Sequence, residues 1–344
     1  MVILFFLLKP TEPTQKGLTI RQQLARLDLL GELFLFPCII CLLLALQWGG
    51  STYPFSDGRV IALFVLFGVL LLAFIAVQVL KPETATIPKR IITNRNIPAG
   101  MWFVFCLGAA MMLLVYYIPI WFQAIKGKSA VGSGIALLPM VISLVVGSIS
   151  AGILVSKLGY YVPFMLASAI IMPIGAGLIV TFDLDTSTGK WIGYQILFGF
   201  GLGLGMQQPS IVAQTVLKKI DVPMGVSLMF FTQQLSGAVF VSVGQNVLDT
   251  KLVSSIVKLV HDISPSEIVN TGATDLRHIV PAADLQNVLV AYNLAIRQTF
   301  IVACVMGCLA LPGALLVRWQ SVKKAKGGEK KAEEEEAEKT EETV

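Results

Sequence analysis

Five glutamines, Gln195, Gln207, Gln208, Gln233 and Gln234, and the tyrosine pair Tyr116 and Tyr117 are the side chains of this 344-residue chain best placed for chemistry inside apolar surroundings. An amide both donates and accepts hydrogen bonds without carrying charge, and a phenol does the same beside a flat apolar ring. Such groups suit either the transient binding of an amphipathic organic molecule or hydrogen bonding between neighbouring helices. Bond-making catalysis asks for something else, a titratable or nucleophilic group at depth, and the apolar stretches offer almost none. Within them Glu32 is the charged residue, one turn from a helix start, where its carboxylate reaches interfacial water. His261 and His278 fall in a long polar loop with no metal-ligand spacing around them. The cysteines Cys38, Cys41, Cys106, Cys304 and Cys308 all lie in apolar runs, so Cys38-x-x-Cys41 reads as packing rather than as a redox or metal pair. No catalytic residue, metal site or cofactor is expected.

Glycines form a second constellation. Gly199, Gly201, Gly203 and Gly205 alternate within one apolar run, where no strand precedes them to make a phosphate loop. At a spacing of four they pair as Gly199 with Gly203 and Gly201 with Gly205. Each pair gives a small-residue face on which a neighbouring helix can approach closely.

The elements that must carry these residues are long apolar segments. We read them as Leu29 to Trp48, Val60 to Leu80, Ala99 to Phe122, Ser133 to Val155, Val162 to Phe182, Trp191 to Gln214, Pro223 to Val247 and Thr299 to Val317. At about 1.5 Å per residue each spans the ~30 Å hydrocarbon layer. Runs this continuous are not alternating barrel strands, so the expected fold is an all-α membrane protein with eight transmembrane helices. Composition agrees, with 55% hydrophobic and 14% charged residues. Pro37, Pro119, Pro139, Pro173, Pro209 and Pro312 fall inside these segments and are expected to bend them.

The net charge of +5 is concentrated in loops and tail. There it orients helices rather than binding nucleic acid. One side carries Lys9, Lys16, Arg21, Arg26, Lys81, Lys89, Arg90, Arg95, Lys157, Lys218 and Lys219, against Arg59, Lys126, Lys128 and Lys190 in the short loops of the other. The richer side, with the C-terminus, is expected in the cytoplasm. Residues 1–8 read as the last two turns of a truncated helix, 9–28 as a cytoplasmic linker and 81–98 as a cytoplasmic loop. Loop 248–298 reads as a small outer helical cap, with a helix start at Ser264 to Glu267 and helical spacing from Asp284 to Arg297. Residues 318–344, a basic patch followed by a Glu-rich stretch, read as a disordered cytoplasmic tail.

Several runs carry a family resemblance: LDLLGELFLFPCIICLLLALQWGG at Leu27 to Gly50, ATIPKRI at Ala85 to Ile91, GILVSKLGYYVPF at Gly152 to Phe164, GYQILFGFGLGLGMQQPSIVAQ at Gly193 to Gln214 and QQLSGAVFVSVGQNV at Gln233 to Val247. Together they resemble the major facilitator superfamily, in its fourteen-helix drug:proton antiporter branch that includes fungal toxin and multidrug efflux pumps. The resemblance implies that 29–80 is a two-helix insert and 99–317 the C-terminal six-helix transporter bundle. It places Gly152, Lys157, Gly159 and Tyr160 in a gating-loop motif. It implies a plasma-membrane exporter of small amphipathic organic molecules, proton-driven when joined to a first six-helix bundle that this chain lacks, with the proton-binding carboxylate in that first bundle. The competing reading is a non-transporting membrane protein, a sensor, an assembly partner or an inactive fragment.

Overall fold

In the computed structural model, residues 28–82, 85–259 and 280–323 are described, and they are helical almost throughout. The helices are α1 (Leu29–Trp48), α2 (Gly58–Leu80), α3 (Lys89–Ile92), α4 (Asn96–Ala124), α5 (Ala130–Ala136), α6 (Leu138–Leu158), α7 (Val162–Val180), α8 (Thr188–Met206), α9 (Gln208–Val216), α10 (Val222–Leu259) and α11 (Ala282–Leu316). Among the described residues there is no strand. With α5 joined to α6 and α8 to α9, they make eight segments long and apolar enough to cross a membrane.

Apolar side chains face outward in large numbers. Leu33, Val65, Leu72, Ile142, Ile149 and Leu315 are each more than half exposed. Water would not tolerate such a surface, whereas hydrocarbon is its natural solvent. Inside, the core runs through Phe103, Leu107, Leu113, Trp121, Met172, Phe198 and Phe300, all fully buried. Helix α4 lies at the centre, packed against α9, α10 and α11, while α8 packs against α6 and α7 and α7 against α11. The α1–α2 hairpin stands to one side and touches the bundle through α1 on α10.

Close approach at α8 follows from its glycines. A Cβ on Gly199 or Gly203 would collide with the carbonyls of Met140 and Leu144 on α6, and one on Gly201 or Gly205 with Met172 and Ser168 on α7. The Ser148 hydroxyl uses that proximity to donate to the Gly203 carbonyl at 3.2 Å.

The prolines act unequally. Helices restart just before Pro139 and Pro209, at Leu138 and Gln208, so two of the expected bends are true interruptions. Pro37, Pro119, Pro173 and Pro312 sit inside unbroken helices, because one missing N–H can be absorbed by neighbouring backbone and packing.

Two expectations need correction. Helix α10 continues from Val247 to Leu259 and α11 begins at Ala282, so the described parts of loop 248–298 are extensions of the spanning helices rather than a separate cap. At 38 and 35 residues these helices run about 57 and 52 Å, well past a ~30 Å layer. The start expected at Ser264 lies outside the described residues, as do residues 1–8. The second correction concerns the tail, whose first residues are held in place: 318–323 fold back along the turn between α6 and α7.

Candidate functional site

Two buried glutamines, Gln195 and Gln208, lie where a helix is broken beside a proline. Pro139 has no N–H to offer, and the chain opens at Leu137. Met140 N–H turns to the Leu137 carbonyl at 3.1 Å instead of to Ala136, and the Gln195 amide, fully buried on α8, donates to the Ala136 carbonyl at 3.1 Å. At the second break the Gln208 amide donates back to the Leu204 carbonyl at 2.9 Å. Backbone acceptors in hydrocarbon must find donors, and a glutamine one helix away or one turn away is a means of supplying them. Each leaves its own Oε1 buried and without a hydrogen bond.

Of the other path candidates, Gln233 is buried where α10 crosses Gly108 of α4. Tyr117 is buried too, its hydroxyl donating to the Val241 carbonyl at 2.9 Å, and so ties α4 to α10. Gln207, Gln234 and Tyr116 are exposed. The seven therefore do not converge on one cavity: Gln195, Gln208 and Tyr117 bond elements together, Gln233 is packed at the α4–α10 crossing, and three face outward.

A cavity of about 520 Å³ opens at the end of the bundle where the lysine-rich turns gather. Its walls come from α6 (Gly152, Val155, Ser156), α9 (Ile211, Gln214, Thr215), the start of α10 (Val222, Pro223) and the returning strand of tail (Val322, Lys323). This brings Gly152 of the turn motif to the same wall as the exposed amide of Gln214.

The rest of that motif shapes the turn itself. Helix α6 ends at Gly159, whose φ of +83° is left-handed and whose N–H closes on the Val155 carbonyl at 2.7 Å. The tail then clasps the turn. Val322 N–H donates to the Gly159 carbonyl at 2.9 Å, and Lys323 Nζ to the Lys157 carbonyl at 2.5 Å, where a cation also suits the negative end of the α6 dipole. The rings of Tyr160 and Trp319 lie 6.3 Å apart. Tyr161, its phenol pushed up to about 12 by burial, donates to the Arg318 carbonyl at 3.1 Å. Arg318 N–H in turn reaches Oδ1 of Asn96 at the start of α4, at 2.8 Å. Three ends of the bundle thus meet at one strap.

A second polar network at the same end was missed by sequence reasoning. Asp28 caps α1 by accepting from Gly31 N–H at 2.8 Å. It also accepts from the Gln78 amide at the end of α2 and from the Thr86 hydroxyl and N–H at 2.9 and 3.1 Å. Gln78 Oε1 accepts from Ile87 N–H at 3.0 Å. Three residues on, Arg90 grips Asp221 with two guanidinium nitrogens, the shortest contact being 2.6 Å, which pins the segment after α2 to the turn before α10. Between these locks lies a second cavity of about 680 Å³, lined by Glu32, Phe36, Arg90, Met224 and Phe231. The one signal available for Asp28 was its place as an N-cap residue ahead of an apolar run.

Comparison with known proteins adds to this geometry. No family model matches the chain. It is 49% identical over 322 residues to the MFS-type transporter astH of Aspergillus oryzae, covering 94% of this chain and 57% of that protein. It is 48% identical over 321 residues to the MFS-type efflux pump MFS1 of Trichophyton rubrum, covering 93% and 60%. It is 45% identical over 322 residues to the rubrofusarin-specific efflux pump aurT of Gibberella zeae, covering 94% and 59%. The chain thus spans about three fifths of the length of these relatives.

Proposed function

Because the chain belongs to the major facilitator superfamily of membrane transporters, we propose that it supplies the substrate-contacting and gating bundle of an efflux transporter. The cargo is a small amphipathic organic molecule, exported in exchange for protons across the plasma membrane. In this reading 99–317 is one six-helix bundle that rocks against a second bundle of the same kind, and 29–80 is a two-helix insert beside it. The lysine-rich turns and the strap 318–323 face the cytoplasm.

The observation that carries the reading is the cavity of about 520 Å³, which joins Gly152 and Gln214 beneath the strap. A solute pathway needs a space that can open at one end, largely apolar walls with a few hydrogen-bonding groups, here Ser156, Gln214 and Thr215 beside Lys219 and Lys323, and a hinge. Exposed Gln207, Gln234 and Tyr116 meet the solute, while buried Gln195 and Gln208 hold the broken helices in shape and buried Gln233 and Tyr117 lie where α4 packs on α10. Gly152, Lys157, Gly159 and Tyr160 form the gate, released when the strap lifts from the α6–α7 turn.

Efflux of fluorescent amphiphiles from cells expressing the transporter tests this. Gln207→Ala and Gln234→Ala should raise KM for some substrates and spare others, and Val322→Pro, which removes the N–H held by Gly159, should change kcat. Unchanged kinetics in all three would refute the assignment.

A further inference from the structure

Asp249 lies about 40 Å along α10 from Val222, at the end opposite the lysine-rich turns and beyond a ~30 Å hydrocarbon layer. It is 8% exposed, and its hydrogen bond comes from Nε2 of Gln245 at 2.8 Å. No cation pairs with it among the described residues. The groups around it are named readily. From α4 comes Tyr117, whose hydroxyl is already given to the Val241 carbonyl, while its neighbour Tyr116 is exposed. From α11 comes Tyr292, 6% exposed and within electrostatic reach of the carboxylate. Arg297 on α11 spends its Nε on the Val180 carbonyl, and Asp284 is the acid of that helix's first turn. The α1–α2 turn brings Arg59, bonded to the Tyr53 hydroxyl, and Asp57, which caps α2. On α10 itself Lys251 is exposed, and α9 packs at the far end. His261 and His278 lie outside the described residues.

An ionised carboxylate shut away from water with one amide donor and no cation is strongly disfavoured, whereas a protonated carboxyl keeps an acceptor oxygen for Gln245 and gains a donor of its own. We propose that Asp249 is a proton-binding site, protonated while the ends of α4, α10 and α11 are packed together and ionised when they part and water reaches it. The proton is exchanged with water at this end of the bundle, and no other bond is made or broken. As a coupling site the inference rests on the export reading; as a proton site it does not.

Infrared difference spectra of the full chain in lipid nanodiscs read the site directly. In a titration upward from about pH 4, a protonated-carboxyl C=O band should persist above the pH at which an exposed aspartate, with pKa about 3.9, has ionised, should titrate away as pH rises further, and should vanish in Asp249→Asn. Gln245→Ala, which keeps the carboxyl and removes its amide donor, should shift the band and so serves if the first variant fails to fold. Parent and Asp249→Asn spectra that superimpose, or a band unmoved in Gln245→Ala, would overturn the proposal. A band that behaves as described in a protein without flux would leave the proton site standing and remove only the coupling.

Discussion

The side-chain amide of Asn246 on α10 donates to the main-chain carbonyl of Leu46 near the end of α1, at 2.6 Å. Its second bond goes to the Ser242 carbonyl on its own helix, at 3.1 Å. Of the two helices of the hairpin, α2 buries only Val60 and Phe74, so it offers the bundle little grip. Beside the packing of α1 on α10, the Asn246 amide bonds the bundle to this end of the hairpin. Asn246→Ala should cost about 1 kcal/mol, in the range of interhelical hydrogen bonds in bilayers. Disulfide trapping between cysteines placed on α1 and α10 measures it, with slower trapping expected in the variant.

Helix α8 makes a sharper prediction. Gly203→Val would drive a side chain into the Leu144 carbonyl, and overpacking of this kind costs about 1–3 kcal/mol where backbone must move. Gly193→Val on the same helix meets nothing within 4 Å and should be neutral in packing. Denaturation of the two variants in detergent separates packing from helix propensity, which both share.

Acid should loosen the insert through Asp28. Burial by itself would raise its pKa, but the bonds from Gly31, Gln78 and Thr86 outweigh this and hold it below the ordinary carboxylate value. A depressed folded pKa contributes stability that is complete above the unfolded value of about 3.9 and is lost as pH falls through the folded value. Fluorescence quenching between probes on α2 and the 85–88 loop should therefore weaken below about pH 4, and Asp28→Asn should show the weakened state at every pH.

Much of this architecture was legible in the sequence because hydrocarbon excludes charge. Apolar length alone located all eight spans, from Leu29 to Val317. What hydropathy does not encode is where a polar group finds its partner. Gln195 and Ala136 are 59 residues apart, and Asp28 and Thr86 58 apart, so neither pairing has a local signature. Nor does hydropathy separate Pro139, before which a helix restarts at Leu138, from Pro37, which lies inside an unbroken helix. Asp249 escaped notice because the apolar run ends at Val247 while the helix, meeting no breaker, continues to Leu259. The glycine faces were readable as spacing, since period and handedness fix them.

The central claim is that this bundle performs export as one of two moving parts. Its most direct measurement is proton-linked efflux of an amphipathic dye from vesicles, comparing the chain alone with the chain joined to a first six-helix bundle from a relative such as the Trichophyton rubrum efflux pump. The account predicts flux from the joined protein, sensitive to Gln207→Ala and Gln234→Ala, and none from the chain as a monomer. Equal flux from the monomeric chain, or a joined protein indifferent to both variants, would contradict it.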